Sequence, residues 1–131
     1  MFNAVTDGIS VTVMPVYIDE RSDPDNSQYF WAYRVIIENN SSQTVQLLDR
    51  YWKITDGNGR TEEVRGEGVV GLQPVIPPGQ NFSYTSGCPL RSPSGIMEGT
   101  YTMKSQNDYS SFEVTIPAFP LDLPGADPVI N

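Results

Sequence analysis

Histidine is absent from this sequence of 131 residues. Imidazole is the commonest general base of enzymes and the commonest protein ligand of transition metals. Its absence excludes a serine triad, a cysteine–histidine pair and a histidine zinc site in their usual forms. We therefore expect a protein that is not an enzyme, with no catalytic residues and no cofactor.

Cysteine occurs once, as Cys88, so no disulfide can form within the chain. Secreted β domains of this size often carry one, and the first residues, Met1-Phe2-Asn3-Ala4, show no signal-peptide pattern. No apolar run approaches membrane-spanning length. These absences predict a cytoplasmic protein without membrane insertion. Because no His or second Cys accompanies its thiol, Cys88 is expected to be a small packing residue.

Basic residues are scarce: 8 Lys and Arg stand against 16 Asp and Glu, which gives a net charge of −8. A nucleic-acid backbone would be repelled by this average field. We therefore expect no general nucleic-acid binding, although a local basic cluster could still hold one small anion.

Helical periodicity is also missing, and alternation of apolar and polar residues predicts strands instead. One strand runs up to about Ile18, a second spans residues 28–39, and a third spans residues 45–55. On the second, one face carries large side chains: Tyr29, Trp31, Tyr33, Val35 and Ile37. We expect Trp31 or Trp52 among the buried anchors of the core.

Turn signals separate these strands and the shorter ones that follow. Asp56-Gly57-Asn58-Gly59 is typical of a hairpin turn, with a returning strand at residues 60–64. Residues 87–99 are rich in Gly and Pro, which predicts a long irregular connection. About seven or eight short strands indicate an all-β fold, a fibronectin type III- or immunoglobulin-like antiparallel sandwich. We assign residues 1–121 to this domain and residues 122–131 to a loose tail.

A glycine-rich segment at residues 65–71 is the first candidate site. Gly66, Gly68 and Gly71 have the spacing of a dinucleotide fingerprint, but no helix follows them, so a Rossmann site is rejected. A loop with free backbone N–H groups near Arg60 and Arg65 could still cradle an anion. The alternative, which we favour, is a glycine-rich bulge or wide loop.

Two sets of acidic residues are weaker candidates for metal sites. Asp19, Asp23 and Asp25 offer oxygen ligands for Mg²⁺ or Ca²⁺, but their spacing is not that of an EF-hand, and a solvated hairpin loop is favoured. Glu62, Glu63 and Glu67 lie near the glycine segment. If they converged, they could hold a metal ion beside a phosphate site.

An ordered series of motifs resembles the ApaG family. It begins with Tyr51-Trp52-Lys53-Ile54-Thr55-Asp56 and Gly59, and continues from Glu63 through Arg65-Gly66-Glu67-Gly68-Val69-Val70-Gly71 to Pro74. Further matches are Pro78-Gly79, Phe82 to Leu90, Pro93 to Gly99, Phe112-Glu113-Val114 and Ile116-Pro117-Ala118-Phe119. The likeness runs from the first strand to Leu121.

The resemblance implies a fibronectin type III-like sandwich in a small bacterial cytoplasmic protein associated with cobalt tolerance and magnesium efflux. Related domains occur in eukaryotic F-box proteins and in a polymerase-interacting protein, which implies a module that binds proteins or ligands. Pyrophosphate or nucleotide binding is suggested for the glycine loop, and no catalytic residues carry over. A pore needs spanning segments, which this sequence lacks, so any role in efflux would be indirect.

Three functions follow from these observations. The first is a non-enzymatic binding or regulatory module that acts through an unidentified protein partner. The second is a sensor of nucleotides or pyrophosphate that uses the glycine-rich segment, with a phosphate-containing small ligand. The third, least favoured, is a metal-dependent hydrolase of nucleotide polyphosphates.

Overall fold

The computed structural model describes residues 1–125, which fold almost entirely into strands. The strands are β1 (Phe2–Thr6), β2 (Ile9–Tyr17), β3 (Tyr29–Asn39), β4 (Val45–Asp56), β5 (Thr61–Glu67), β6 (Val75–Ile76), β7 (Asn81–Leu90), β8 (Gly95–Ser105) and β9 (Ser111–Leu121). Two single turns of 3₁₀ helix, Asp19–Arg21 and Pro24–Asn26, connect β2 to β3.

Two antiparallel sheets form a sandwich. One has the strand order β1-β2-β3-β7, and the other has the order β5-β4-β8-β9, with β6 paired to β4. The predicted all-β antiparallel sandwich is confirmed. No helix within residues 1–125 has the length and apolar character needed to cross a membrane.

The alternation predicted for β3 is what builds the core. Trp31, Tyr33, Val35 and Ile37 are buried, while Arg34 and Glu38 on the other face are exposed. β4 contributes Trp52 from the opposite sheet, only 3% exposed, and Trp31 is 1% exposed. Both tryptophans are therefore buried anchors, as the strand faces predicted. Cys88 is also buried and free, as expected of a packing residue.

Two predictions about strand boundaries are wrong. Residues 87–99 are not an irregular connection: β7 continues to Leu90 and β8 starts at Gly95. Their glycines permit close packing and are not turn signals, because a Cβ at Gly87 would overlap the Phe30 ring and one at Gly99 would overlap the Tyr51 carbonyl oxygen. The first strand, β1, had not been predicted at all.

The end of the described chain is anchored to the sandwich. The Trp31 indole Nε1–H donates to the Asp122 carbonyl at 2.9 Å, and Leu123 packs against the core. These residues belong to the segment predicted as a loose tail. The last part of that segment, residues 126–131, lies outside the described residues.

The two long sides of the sandwich differ. On one side β1 packs near β9: the Thr115 N–H donates to Thr6 Oγ1 at 3.1 Å, and the Phe2 and Phe119 rings are 6.4 Å apart. On the other side β5 and β7 end their respective sheets, so each has an edge that pairs with no described strand. This open side holds the candidate site.

Candidate binding site

The glycine-rich segment is partly strand. β5 continues through Glu67, so Gly66 lies in the ladder opposite Arg50. A Cβ at Gly66 would come within 2.8 Å of the Arg50 guanidinium. Arg50 Nη1 donates to the carbonyl oxygens of Glu67 and Gly68, both at 3.0 Å. Gly66 therefore makes room for an arginine that holds the following turn in place.

The turn itself begins at Gly68, where φ is +63° and a Cβ would overlap the Leu72 carbonyl oxygen. Three of its N–H groups already donate hydrogen bonds: Gly68 to the Leu48 carbonyl at 2.7 Å, Val69 to the Leu72 carbonyl at 2.8 Å, and Leu72 back to the Val69 carbonyl at 2.9 Å. The predicted anion site assumed free backbone N–H groups in this segment. These three are not available to bind an anion.

The two cations assigned to that cradle lie apart. The Arg65 guanidinium stacks on the Tyr51 ring, 4.3 Å from its centroid, beside a shallow depression that Gly66 also lines. Arg60 lines a different cleft at the far end of β5. The structure places the two arginines beside different depressions. Anion binding remains a prediction for these residues: Arg60, Arg65, Gly66, Gly68 and Gly71.

Val70, at the tip of this turn, has φ +45°, a conformation that costs a β-branched residue about 1 kcal/mol or more. Its side chain is 56% exposed, so little burial offsets that cost. Since Asn tolerates this conformation, Val70→Asn is expected to raise the free energy of unfolding by about 1 kcal/mol. Urea unfolding measures this change, and Val5→Asn, at an exposed side chain of strand β1, should lower stability instead. A Val70→Asn midpoint at or below the wild-type value would contradict the argument.

The acidic candidates are not assembled into metal sites. Asp23 accepts a hydrogen bond from Asn26 Nδ2 at 2.7 Å, and Asp19 and Asp25 lie in separate 3₁₀ turns. Within the described part of the chain, no three His, Cys, Asp or Glu side chains are grouped to hold a metal ion.

The glutamates of β5 also diverge. Glu62 lies on the face of Val64, which pairs with buried Trp52, whereas Glu63 pairs with Lys53 on the opposite face. Glu67 shares the strand face of Glu63. The carboxylate cluster needed for metal-dependent hydrolysis is therefore not formed.

A cleft of about 580 Å³ lies at the open side, between the ends of β5 and β7. Three arginines line it together with two carboxylates, apolar side chains and aromatic rings: Arg21, Arg60, Arg91, Asp56, Glu62, Tyr29, Phe30, Ile54, Pro89 and Leu90. The chain has only 8 basic residues in all. The cleft is therefore a locally basic region of an acidic protein.

Arg21 is held in the cleft by the turn after β2. The Ile18 N–H donates to the Phe30 carbonyl at 2.9 Å, and the Phe30 N–H donates to Ser22 Oγ at 2.9 Å. The Arg21 guanidinium stacks over the Phe30 ring, 4.1 Å from its centroid. This cation–π contact orients one cation beside the end of β7.

Arg60 and Arg91 are brought together by contacts between two turns. Asp56 Oδ1 accepts the N–H groups of Asn58 and Arg60, both at 2.9 Å, and so closes the β4–β5 hairpin. The Gly57 N–H donates to Ser92 Oγ and to the Ser94 carbonyl, both at 2.8 Å. The hairpin is thereby docked against the turn that carries Arg91.

Sequence reasoning found only one of the three arginines, Arg60, and assigned it to another site. Arg21 lies inside the acidic stretch and Arg91 in a turn between strands. Neither has a local motif, because the cleft depends on strand pairing between segments distant in sequence.

Known proteins resemble this chain in both sequence and fold. Residues 19–105 match the family model of the ApaG domain. Protein ApaG of Mesorhizobium japonicum and Protein ApaG of Brucella abortus are each 55% identical over all 131 residues, covering the whole of both chains.

Solved structures give the same result. A crystal structure from Bordetella pertussis, of a protein named ApaA, has a TM-score of 0.87 and 50% identity, over 89% of this chain and 94% of that one. The X-ray structure of a structural-genomics target has a TM-score of 0.86 and 43% identity, over 94% and 92%. The chain therefore belongs to the ApaG family.

Proposed function

We propose that this chain is a non-enzymatic binding module that regulates a protein partner, which it engages at the open side between β5 and β7. The observation that carries the proposal is the free edge of β7. This strand ends its sheet, and none of its ten residues is charged.

Free strand edges present unpaired backbone N–H and C=O groups, and proteins usually protect them with charged residues. β5 has that protection, because Glu62, Glu63, Arg65 and Glu67 lie along it. β7 does not. An extended segment of another protein can add to such an edge through backbone hydrogen bonds.

The proposal includes a cytoplasmic location and an indirect role in cobalt tolerance and magnesium efflux, exerted through the partner. It assigns no reaction to the chain. Two observations support a function without a reaction. The acidic side chains of β5 lie on different faces of the strand, and N–H groups of the glycine turn donate hydrogen bonds within the protein.

Site-specific photocrosslinking in living bacteria tests this function. A photoreactive benzoylphenylalanine replaces Thr85 on β7 in one variant and Thr115 on β9 in the control. Both positions are exposed threonines on strands, but Thr115 lies on the side that β1 covers.

A discrete adduct with a second protein is expected at position 85 and not at position 115. Equal crosslinking at both positions, or no adduct at either, would refute the proposed module. An adduct that contains only two copies of this chain would refute it too, because the proposal requires a different protein.

A further inference from the structure

We infer that the segment recognised at β7 is an extended acidic peptide, whose carboxylates bind among Arg21, Arg60 and Arg91 while its backbone pairs with the end of β7. The inference rests on the proposed binding function and specifies the chemistry of the partner.

The cleft adjoins the ends of the two edge strands on the open side of the sandwich, β5 and β7. Consecutive residues of β7, Pro89 and Leu90, both line it, as do Thr61 and Glu62 of β5. β5 and β7 are the strands that end their sheets on this side, so the cleft adjoins a free edge of each sheet. An extended chain placed there would reach the edge of β7, where Pro89 has a carbonyl acceptor but no N–H, so the added chain would have to donate its own N–H groups at that point.

The charge of the cleft selects the kind of chain. Three arginines line it, against the two acidic residues Asp56 and Glu62. Asp56 already accepts the N–H groups of Asn58 and Arg60, which occupies part of its hydrogen-bonding capacity. Guanidinium groups bind carboxylates through paired hydrogen bonds, so acidic side chains or a terminal carboxylate complement this cleft.

The walls of the cleft suit a peptide that alternates acidic and apolar residues. Tyr29, Ile54 and Leu90 supply apolar surface beside the arginines. Tyr29 pairs with Leu90 in the ladder between β3 and β7, so this surface lies next to the free edge. A long polyanion is a poorer occupant, because the net charge of −8 repels it outside the cleft.

Fluorescence anisotropy with defined peptides tests the inference on the full chain. The first probe is a labelled peptide of alternating Thr and Val that ends in Asp-Asp-Asp. The second ends in Lys-Lys-Lys. The third repeats the acidic sequence with N-methylated Val residues, which cannot donate backbone hydrogen bonds. A version with the acidic block at the other end covers both strand directions.

The acidic probe is expected to bind at least about tenfold more tightly than the basic one, and added salt and N-methylation should each weaken it. The variant Arg60→Gln/Arg91→Gln should lose about tenfold in affinity. Lys104→Gln removes a cation of β8 that does not line the cleft and should stay within about twofold. Melting curves establish that every variant is folded.

Equal affinity for the acidic and basic probes would overturn the inference, as would an equal loss in Lys104→Gln. Displacement of the acidic probe by micromolar pyrophosphate would also overturn it, since that outcome assigns the cleft to a small phosphate ligand. If the crosslink at position 85 forms but the probes show no acidic preference, the binding function stands and only the inference about its partner fails.

Discussion

Replacing Trp31 or Trp52 by alanine is expected to lower the free energy of unfolding by about 3–5 kcal/mol in each case. Trp31 packs edge-on against Tyr17 with ring centroids 5.3 Å apart, and its indole N–H bonds to the Asp122 carbonyl at 2.9 Å. Trp52 packs edge-on against Tyr33 at 5.3 Å and against Phe119 at 5.9 Å. Truncation leaves a cavity between the two sheets.

Domains of this size have about 5–15 kcal/mol of stability, so each variant should lie near the limit of folding. Urea unfolding followed by circular dichroism measures the loss. Val5→Ala, at a side chain that is 63% exposed, is the control and should cost less than about 0.5 kcal/mol. Wild-type midpoints in both tryptophan variants would show that the two rings do not anchor the core.

The core was predictable because strand alternation is a local property of the sequence. The large side chains of β3 recur at every second residue, and that period places Trp31 and Tyr33 on the same buried face. β1 was missed because its five residues are too few to show a clear alternation of apolar and polar side chains, and none of them is fully buried. The boundary between β7 and β8 was predicted wrongly because glycine usually indicates a turn, whereas Gly87 and Gly99 lie inside strands and permit close packing there.

The candidate site was predictable only in part. The glycine segment was identified, but the role of Gly66 depends on Arg50, a residue of the neighbouring strand that no local motif links to it. The arginine cleft joins the turn after β2, the β4–β5 hairpin and the turn after β7. Its assembly follows from sheet order and register, which the spacing of residues along one chain does not encode.

Alkaline solution is expected to unfold this protein cooperatively between about pH 10 and 12, because several buried acids hold their protons only in the folded state. Burial raises the pKa of Cys88 to about 12. Burial also raises the pKa values of Tyr33, Tyr84 and Tyr101. The hydroxyl groups of Tyr84 and Tyr101 bond to each other inside the sandwich.

In the unfolded chain, Cys titrates near pH 8.5 and Tyr near pH 10. The neutral folded forms are therefore fully stabilising below about pH 8, and their contribution declines as pH rises from these unfolded pKa values towards the raised folded ones. Over this range, each group lowers the free energy of unfolding by about 1.4 kcal/mol per pH unit. Because the losses of Cys88 and the buried tyrosines have the same sign and add, stability falls more steeply as pH rises above about 10.

A pH titration monitored by circular dichroism and by tyrosinate absorbance tests this expectation: the part of the absorbance that comes from Tyr84 and Tyr101, found by subtracting the titration of the double variant described next, should appear together with the loss of secondary structure. Tyr84→Phe/Tyr101→Phe removes two of the buried acids and replaces both hydrogen-bonding partners by similar apolar rings, which should move the transition to higher pH. Tyr109→Phe alters a side chain that is 68% exposed and should leave the transition in place. If the tyrosinate signal of Tyr84 and Tyr101 formed well before secondary structure was lost, these buried hydroxyl groups would be accessible to solvent, and burial would not explain the alkaline transition. The same conclusion would follow if the double variant unfolded at the wild-type pH.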